Sequence, residues 1–420
     1  MLAMLMLGGA QAPRADLQSD TVLLKPARVF DGVDPVPRPG WQVLIRGDRI
    51  AAIGPDLAAP VGGRVVELPG ATLMPGMIEG HGHLFLHPYD EADWDDQVLR
   101  ESLALRTARA VRHAQATLVA GFTTLRDLGT EGAGYADVGL RDAIDQGIVP
   151  GPRLIVATRA IVARGAYGPK GFEPGLAIPQ GAEEASGVDE VVRVVRGQIA
   201  AGADVVKLYG DYRWRAGEPS RPTFSLAELT AAIGAAHDAG RPVAVHTSTP
   251  EGMRRAIAAN ADTIEHGYGG TPEIFRAMAA RGAVLCPTLA ASDAVARYAG
   301  WNGREPAPAS VLAGRAAFRA AMAAKVPICM GGDVGVYAHG DNARELELMV
   351  AAGMSARGAM IAATSGNARA FGIADRAGRL AVGRIADLVA VAGDPMRDIA
   401  AARAVLLVIK DGRIAFQAAR

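Results

Sequence analysis

The 420-residue chain has no surplus of either charge, almost no cysteine and no apolar run long enough to cross a bilayer. Lys plus Arg and Asp plus Glu each number 44, so the formal net charge is zero. With neither a basic stripe nor an acidic tail, nucleic acid is excluded as the expected partner, and a small molecule or peptide is favoured. Cys286 and Cys329 are the only cysteines, both in apolar strand-like runs (AVLC, PICM), and are expected to be buried inert thiols in preference to a disulfide. The apolar stretch from Met1 to Gly9 is too short to span a membrane. With Ala10-Gln11-Ala12 behind it, it has the apolar core and cleavage site of a secretory signal peptide, although the positive start is missing. Residues 1–17 are therefore expected to be a leader directing the protein to a periplasm or the exterior, with the cytoplasm as the alternative.

What is present fits a large α/β core. Half the residues are hydrophobic and 51 glycines are spread along the chain, unlike a disordered or collagen-like protein. The length suits a barrel plus an accessory module. Residues 18–73 are β-rich (TVLLKPARVF, WQVLIRG, DRIAAIG, RVVELPG), and the same texture returns over 373–420. These ends are either two domains or one small β-sandwich built from both. Between them, over 74–372, apolar runs alternate with Ala/Leu/Arg-rich helical stretches. Eight strand candidates fall at 73–83, 121–129, 152–160, 203–210, 241–247, 261–267, 282–290 and 326–333. The alternation predicts an α/β fold, a closed parallel (β/α)8 TIM barrel, with a doubly wound open sheet as the structural alternative.

In such a barrel the chemistry sits at the C-terminal strand ends. There the first strand carries His81-Gly82-His83, the fourth Lys207, the fifth His246, the sixth His266 and the eighth Asp333. Alternate strand residues share a face, so His81 and His83 point the same way, and Gly80 and Gly82 leave room for a metal. Each residue alone has an ordinary reading: a strand-end lysine, a hydrogen-bonded histidine, an aspartate capping the next helix. Their conjunction at one end of different strands points to a metal site and selects the barrel over the open sheet.

The stretches PGMIEGHGH, GFTTLRDLG, VVKLYG, VAVHT, TIEHG, GGDVGVYAHGDNARELELMVAAGMS and GRLAVGRIADLVAVAGDP resemble the amidohydrolase superfamily over nearly the whole chain after the leader. Within it, the chain is similar to the imidazolonepropionase-related group of Xaa-Pro dipeptidases, metal-dependent carboxypeptidases and ochratoxin-degrading amidohydrolases. The resemblance implies a single sandwich beside the barrel and two divalent metal ions, zinc foremost, with manganese, cobalt or iron as substitutes. It implies that His81, His83 and Asp333 hold one ion and that His246 and His266 hold the other. Lys207 would bridge them as a carbamate formed with CO2. Asp333 would act as general base and then acid. Tyr209, two residues beyond Lys207, is expected to stabilise the oxyanion or to pack at the rim. His339 is expected to contact substrate, support the site or anchor its loop. His113 and His237 lie in helical stretches and are expected on the outer ring, and Glu265, beside His266, is expected to point away from the metal, either packing or supporting the site.

Relatives of this group carry a Gly-Gly-His-Gly stretch after the third strand, where this chain reads ARGAYGPKGFEPG. Arg164, Tyr167, Lys170, Arg213 and Trp214 are therefore expected to form a cationic, aromatic mouth gripping a substrate carboxylate, or a solvated loop; His87 is expected at the pocket rim. The function expected is release of a C-terminal amino acid from a dipeptide or N-acyl amino acid, ochratoxin A included. A cyclic-amide hydrolase of the imidazolonepropionase type is the alternative in the same fold, and a metal-free binding barrel the alternative of another class. Relatives also imply a homo-oligomer.

Overall fold

The computed structural model describes residues 21–173 and 175–419, so the leader expected over 1–17 lies outside the described residues. Five strands come first: β1 (Thr21–Val29), β2 (Arg38–Pro39), β3 (Gln42–Arg46), β4 (Arg49–Gly54) and β5 (Arg64–Pro75). Gly76 alone separates β5 from β6 (Met77–Gly82), which begins the strand–helix alternation. There follow β7 (Phe122–Asp127), β8 (Arg153–Val156), β9 (Ile161–Ala163), β10 (Glu183–Ala185) and β11 (Val206–Tyr209). A short hairpin, β12 (Asp211–Tyr212) with β13 (Arg221–Pro222), precedes β14 (Val243–Thr247), β15 (Thr263–His266) and β16 (Val284–Cys286). The chain ends in β17 (Leu388–Ala392), β18 (Val405–Lys410) and β19 (Arg413–Gln417).

The two chain ends form one sheet. Its strand order is β19-β18-β17-β5-β1-β3-β4, with β2 on β1, and the β5–β17 register places Leu73 opposite Ala390. Alternation puts Val43 and Ile45 of β3 on the buried face, where they join Leu24, Leu73, Leu388 and Leu407. Both chain ends thus contribute to one eight-stranded sheet, seven strands of it in a continuous path and β2 beside it.

The middle of the chain is TIM-barrel-like. Every strand pair in β6-β7-β8 and in β10-β9-β11-β14-β15-β16 is parallel. The Asp204 amide donates to the Val156 carbonyl at 2.8 Å, linking β8 to the approach of β11. Helices cover the outside, so strands such as Val243–Thr247 are apolar on both faces. Val206, Leu208, Val245 and Ile264 pack against helix residues Val194, Ile233 and Met253 in one core. Local signals start the helices cleanly. Ser225 and Glu228 make a reciprocal capping box, and Thr249 and Thr271 cap helices that open on Pro250 and Pro272.

Residues 326–333 depart from the expected eighth strand. They contribute only isolated bridges, Leu285 to Ile328 on one side and Gly82 to Val334 just beyond on the other. Pro327 has no amide to give a ladder, and Asp333 adopts a left-handed backbone (φ +64°). The glycines of β6 also have a different task from the one expected. A Cβ on Gly80 would lie 2.5 Å from Cys329 Sγ and 2.6 Å from the Met330 carbonyl, so this position is kept bare for the packing of the 329–330 segment. The expectation of separate thiols is corrected too. Cys329 donates its amide to the Leu285 carbonyl at 2.9 Å, which sets it beside Cys286, and the two form a buried disulfide with Cα atoms 4.6 Å apart.

Candidate metal centre

The polar strand ends converge. His81 in β6, His83 one residue past it, and Asp333 offer ligand atoms that all lie within 4.8 Å of one another, and all three are buried. Asp333 Oδ1 is 3.5 Å from His81 Nε2 and 3.2 Å from His83 Nε2. A row of imidazoles continues from this cluster. The ring centres of His81 and His266 are 5.3 Å apart, and those of His266 and His246 are 4.4 Å apart. The β11–β14 register sets Tyr209 beside His246, their rings stacked at 4.4 Å. Lys207, two residues back on the same strand face, is fully buried with its amine 5.5 Å from the Tyr209 ring centre.

Three of these rings are turned by a partner on a ring nitrogen. His81 Nδ1 donates to Glu265 Oε2 at 2.8 Å, and His83 Nδ1 donates to the Gly129 carbonyl at 2.8 Å. His266 Nδ1 is 2.7 Å from Thr288 Oγ1. These bonds fix the tautomers and leave the Nε2 atoms of His81 and His83 toward Asp333, as metal-ligating histidines require. Glu265 is itself held by Arg126 Nη2 at 2.9 Å, which accounts for the ion pair buried beneath the site. His266 and Asp333 both hold positive φ (+72° and +64°), uncommon for residues with a side chain and typical of functional positions.

The electrostatics suit cation ligands. Burial takes His81 and His246 well below their usual range and His266 to about 4, so these rings are neutral and able to donate a lone pair. Burial also brings the Lys207 amine down to about 8. For Asp333 burial works upward, but His81 and His83 outweigh it and hold the carboxylate ionised well below its ordinary range. For His83 burial works downward, but the Asp333 bond and charge lift it to about 9. A divalent ion would displace that proton.

The amidohydrolase-family profile matches residues 72–415, which takes in every one of these positions. The chain belongs to the amidohydrolase family. The family generally uses divalent metal ions, and this amidohydrolase is a hydrolase acting on amide bonds. Ochratoxinase from Aspergillus niger is 29% identical over 356 residues, covering 78% of this chain and 72% of that protein. A crystal structure of a Xaa-Pro dipeptidase with methionine in its active site superposes with a TM-score of 0.85 at 30% identity, covering 95% of this chain and all of that one. A prolidase complexed with N-methylphosphonate-L-proline superposes with a TM-score of 0.83 at 25% identity, again over 95% of this chain and all of that one.

Around this candidate metal site the amidohydrolase arranges its other polar groups unevenly. Tyr209 is buried and its hydroxyl approaches Glu131 Oε1 at 3.4 Å. Tyr167 is buried too, its hydroxyl donating to Glu131 Oε2 at 2.7 Å. His339 serves the backbone, its Nε2 lying 3.2 Å from the His83 carbonyl and its ring stacked at 4.4 Å on His113. Both nitrogens of His87 are committed to carboxylates, Glu91 at 2.9 Å and Glu101 at 3.0 Å, so the ring has no free atom to offer a substrate. His237 pairs with Asp262 on the outer ring. Arg164 is exposed and turned to Glu190, and Lys170 donates to the carbonyls of Gly165 and Tyr167. Arg213 lies 5.5 Å from the Tyr212 ring centre, while Trp214 is half-exposed. The cationic grip expected from Arg164 and Lys170 is thus spent on neighbouring protein groups.

Glu131 and Trp94 were not legible as site residues. Trp94 Nε1 donates to Glu131 Oε2 at 3.0 Å. The one signal available was position: Glu131 follows β7 at the end of the barrel where the candidate metal ligands lie. Asp211 was also hidden in its role. It accepts from the Thr247 hydroxyl (2.6 Å) and the Ser248 and Thr249 amides (2.9 and 2.6 Å), tying the end of β11 to the end of β14.

Proposed function

We propose that this amidohydrolase is a binuclear, zinc-dependent enzyme that releases a C-terminal amino acid from a dipeptide or N-acyl amino acid. The observation that carries the reading is the Lys207 amine, which is fully buried, has no hydrogen-bond partner among the described residues and sits among imidazoles. An amine left unpaired in such a place is costly, and as an ammonium it would repel two cations. Brought down to about 8, it has a substantial neutral fraction near neutral pH, and only the neutral amine reacts with CO2. The resulting carbamate would give two anionic oxygens where the donor set needs a bridge. His81, His83 and Asp333 would hold one ion, His246 and His266 the other, and imidazole and carboxylate donors suit zinc.

When bound, the ions supply an acidified water and polarise the scissile carbonyl. Asp333 takes the proton of the attacking water as its oxygen joins the carbonyl carbon. The same carboxyl returns that proton to the leaving nitrogen as the C–N bond breaks. The Tyr209 hydroxyl, held near Glu131, stabilises the negative oxygen formed between these steps. Ochratoxinase and the dipeptidase and prolidase structures support an amide between an acyl group and a free amino acid, with ochratoxin A, which would release phenylalanine, as one member of the class. The buried Cys286–Cys329 disulfide supports export to an oxidising compartment. The test is a panel of dipeptides and N-acyl amino acids, ochratoxin A among them, incubated with zinc-loaded enzyme and scored by free amino acid. Release from several members supports the reading, and none at high enzyme loading removes it.

A further inference from the structure

Glu131 is 2% exposed and holds a left-handed backbone (φ +49°) in the loop after β7. A side-chain-bearing residue stays in that conformation only where its surroundings impose it. Its two oxygens are treated differently. Oε2 accepts two good hydrogen bonds, from the Tyr167 hydroxyl at 2.7 Å and the Trp94 indole at 3.0 Å. Among the described residues, Oε1 has only the Tyr209 hydroxyl at 3.4 Å, and His83 Nδ1 at 3.9 Å, whose proton already goes to the Gly129 carbonyl.

Oε1 is therefore an under-supplied acceptor on the side of the metal ligand His83 and of Tyr209. A buried carboxylate oxygen without a full donor is an unusual and costly arrangement. Among the described residues, no Lys or Arg nitrogen lies within ion-pair distance of Glu131, and the groups that touch Oε2 are neutral. The walls are aromatic: Tyr167 is 4.7 Å from Tyr209, 4.8 Å from Tyr212 and 5.0 Å from Trp94, ring centre to ring centre. An anion among electron-rich ring faces is the chemistry that recognises an ammonium group.

We propose that Glu131 sets the substrate class, Oε1 accepting a hydrogen bond from the α-ammonium of a dipeptide, so that a free N-terminus is favoured over an acylated one. This rests on the C-terminal release proposed above and narrows it from two substrate classes to one. Tyr167 then touches no substrate atom and bears on the reaction only through its hydrogen bond to Glu131 Oε2.

The experiment compares kcat/KM of the zinc-loaded enzyme for alanylphenylalanine, its N-acetyl derivative and propionylphenylalanine, which has the same shape without the ammonium. The wild type is expected to favour the free dipeptide over both by about tenfold or more, the value of one charge-assisted hydrogen bond. In Glu131→Gln the ratio falls to about one, while Tyr167→Phe, which keeps the carboxylate, retains most of it. Equal use of the three compounds by the wild type, an unchanged ratio in Glu131→Gln, or the same collapse in Tyr167→Phe overturns the assignment. If Glu131→Gln does not fold, the wild-type comparison decides alone. Cleavage of none of the three removes the C-terminal release and this assignment together; cleavage without discrimination overturns this assignment only.

Discussion

Removing the Glu265 side chain separates two roles that one carboxylate fills. Glu265 accepts from His81 Nδ1 at 2.8 Å and from Arg126 Nη2 at 2.9 Å, and takes the Thr263 hydroxyl as well. Arg126 is 2% exposed, so Glu265→Ala leaves a buried guanidinium without its counter-charge, which costs about 3–5 kcal/mol of stability. His81 loses the partner that orients its ring, which weakens metal binding by about 10–100-fold. Adding Arg126→Met removes the stranded charge, so the double variant recovers most of the stability and none of the metal affinity. Denaturant unfolding of the metal-free protein measures the first quantity, and competition with a chromophoric chelator measures the second. If Glu265→Ala unfolds within about 1 kcal/mol of the wild type, or if the double variant regains both properties, the reasoning fails.

Asp333→Asn keeps its far-ultraviolet circular dichroism but loses about 10²-fold or more in kcat, as removal of an acid–base group does; near-normal turnover contradicts its assignment. The depressed Lys207 amine makes the metal-free protein sensitive to pH. The folded state sheds its proton at about 8, whereas the unfolded chain keeps it to about 10.5. Stability therefore rises with pH across that window and this contribution is lost as pH falls through 8; Lys207→Met flattens the rise in urea melts. Asp211→Ala strands the Ser248 and Thr249 amides and the Thr247 hydroxyl, and loses about 3 kcal/mol in denaturant unfolding; a loss below about 1 kcal/mol contradicts the clamp.

The convergence of the polar strand ends was legible because residue types suited to a metal recur at one end of successive strands, and strand periodicity carries that placement into the sequence; His81, His83 and Asp333 do come together. His81 and His83, two apart on one strand, needed no contact information to be paired, and Lys207, His246 and His266 followed from the same rule. The joining of the two ends was legible only in part: residue patterns showed both as β-rich, the family resemblance implied that they meet in one sandwich, and the register of Leu73 with Ala390 shows them paired in one sheet. Contacts between residues distant in sequence had no such signal. Cys286 and Cys329 are 43 residues apart and become neighbours only through the backbone bond at Leu285. Pro327 was a readable warning against a regular eighth strand. At the mouth, charge alone left a substrate grip and a solvated loop both open for Arg164 and Lys170, because the partners that take up their donors come from the fold. Glu131 carries no signal of its own in the sequence: its place in the site depends on Trp94, Tyr167 and Tyr209 arriving around it from three other segments.

Elemental analysis of protein prepared with zinc and bicarbonate tests the centre of this account. Two metal ions per chain are predicted for the wild type, with an intact-mass increase of one CO2 that is absent in Lys207→Ala, and no more than one ion in that variant, partly restored by a short carboxylic acid. A wild type holding a single ion, or a Lys207→Ala protein that still holds two, would contradict it.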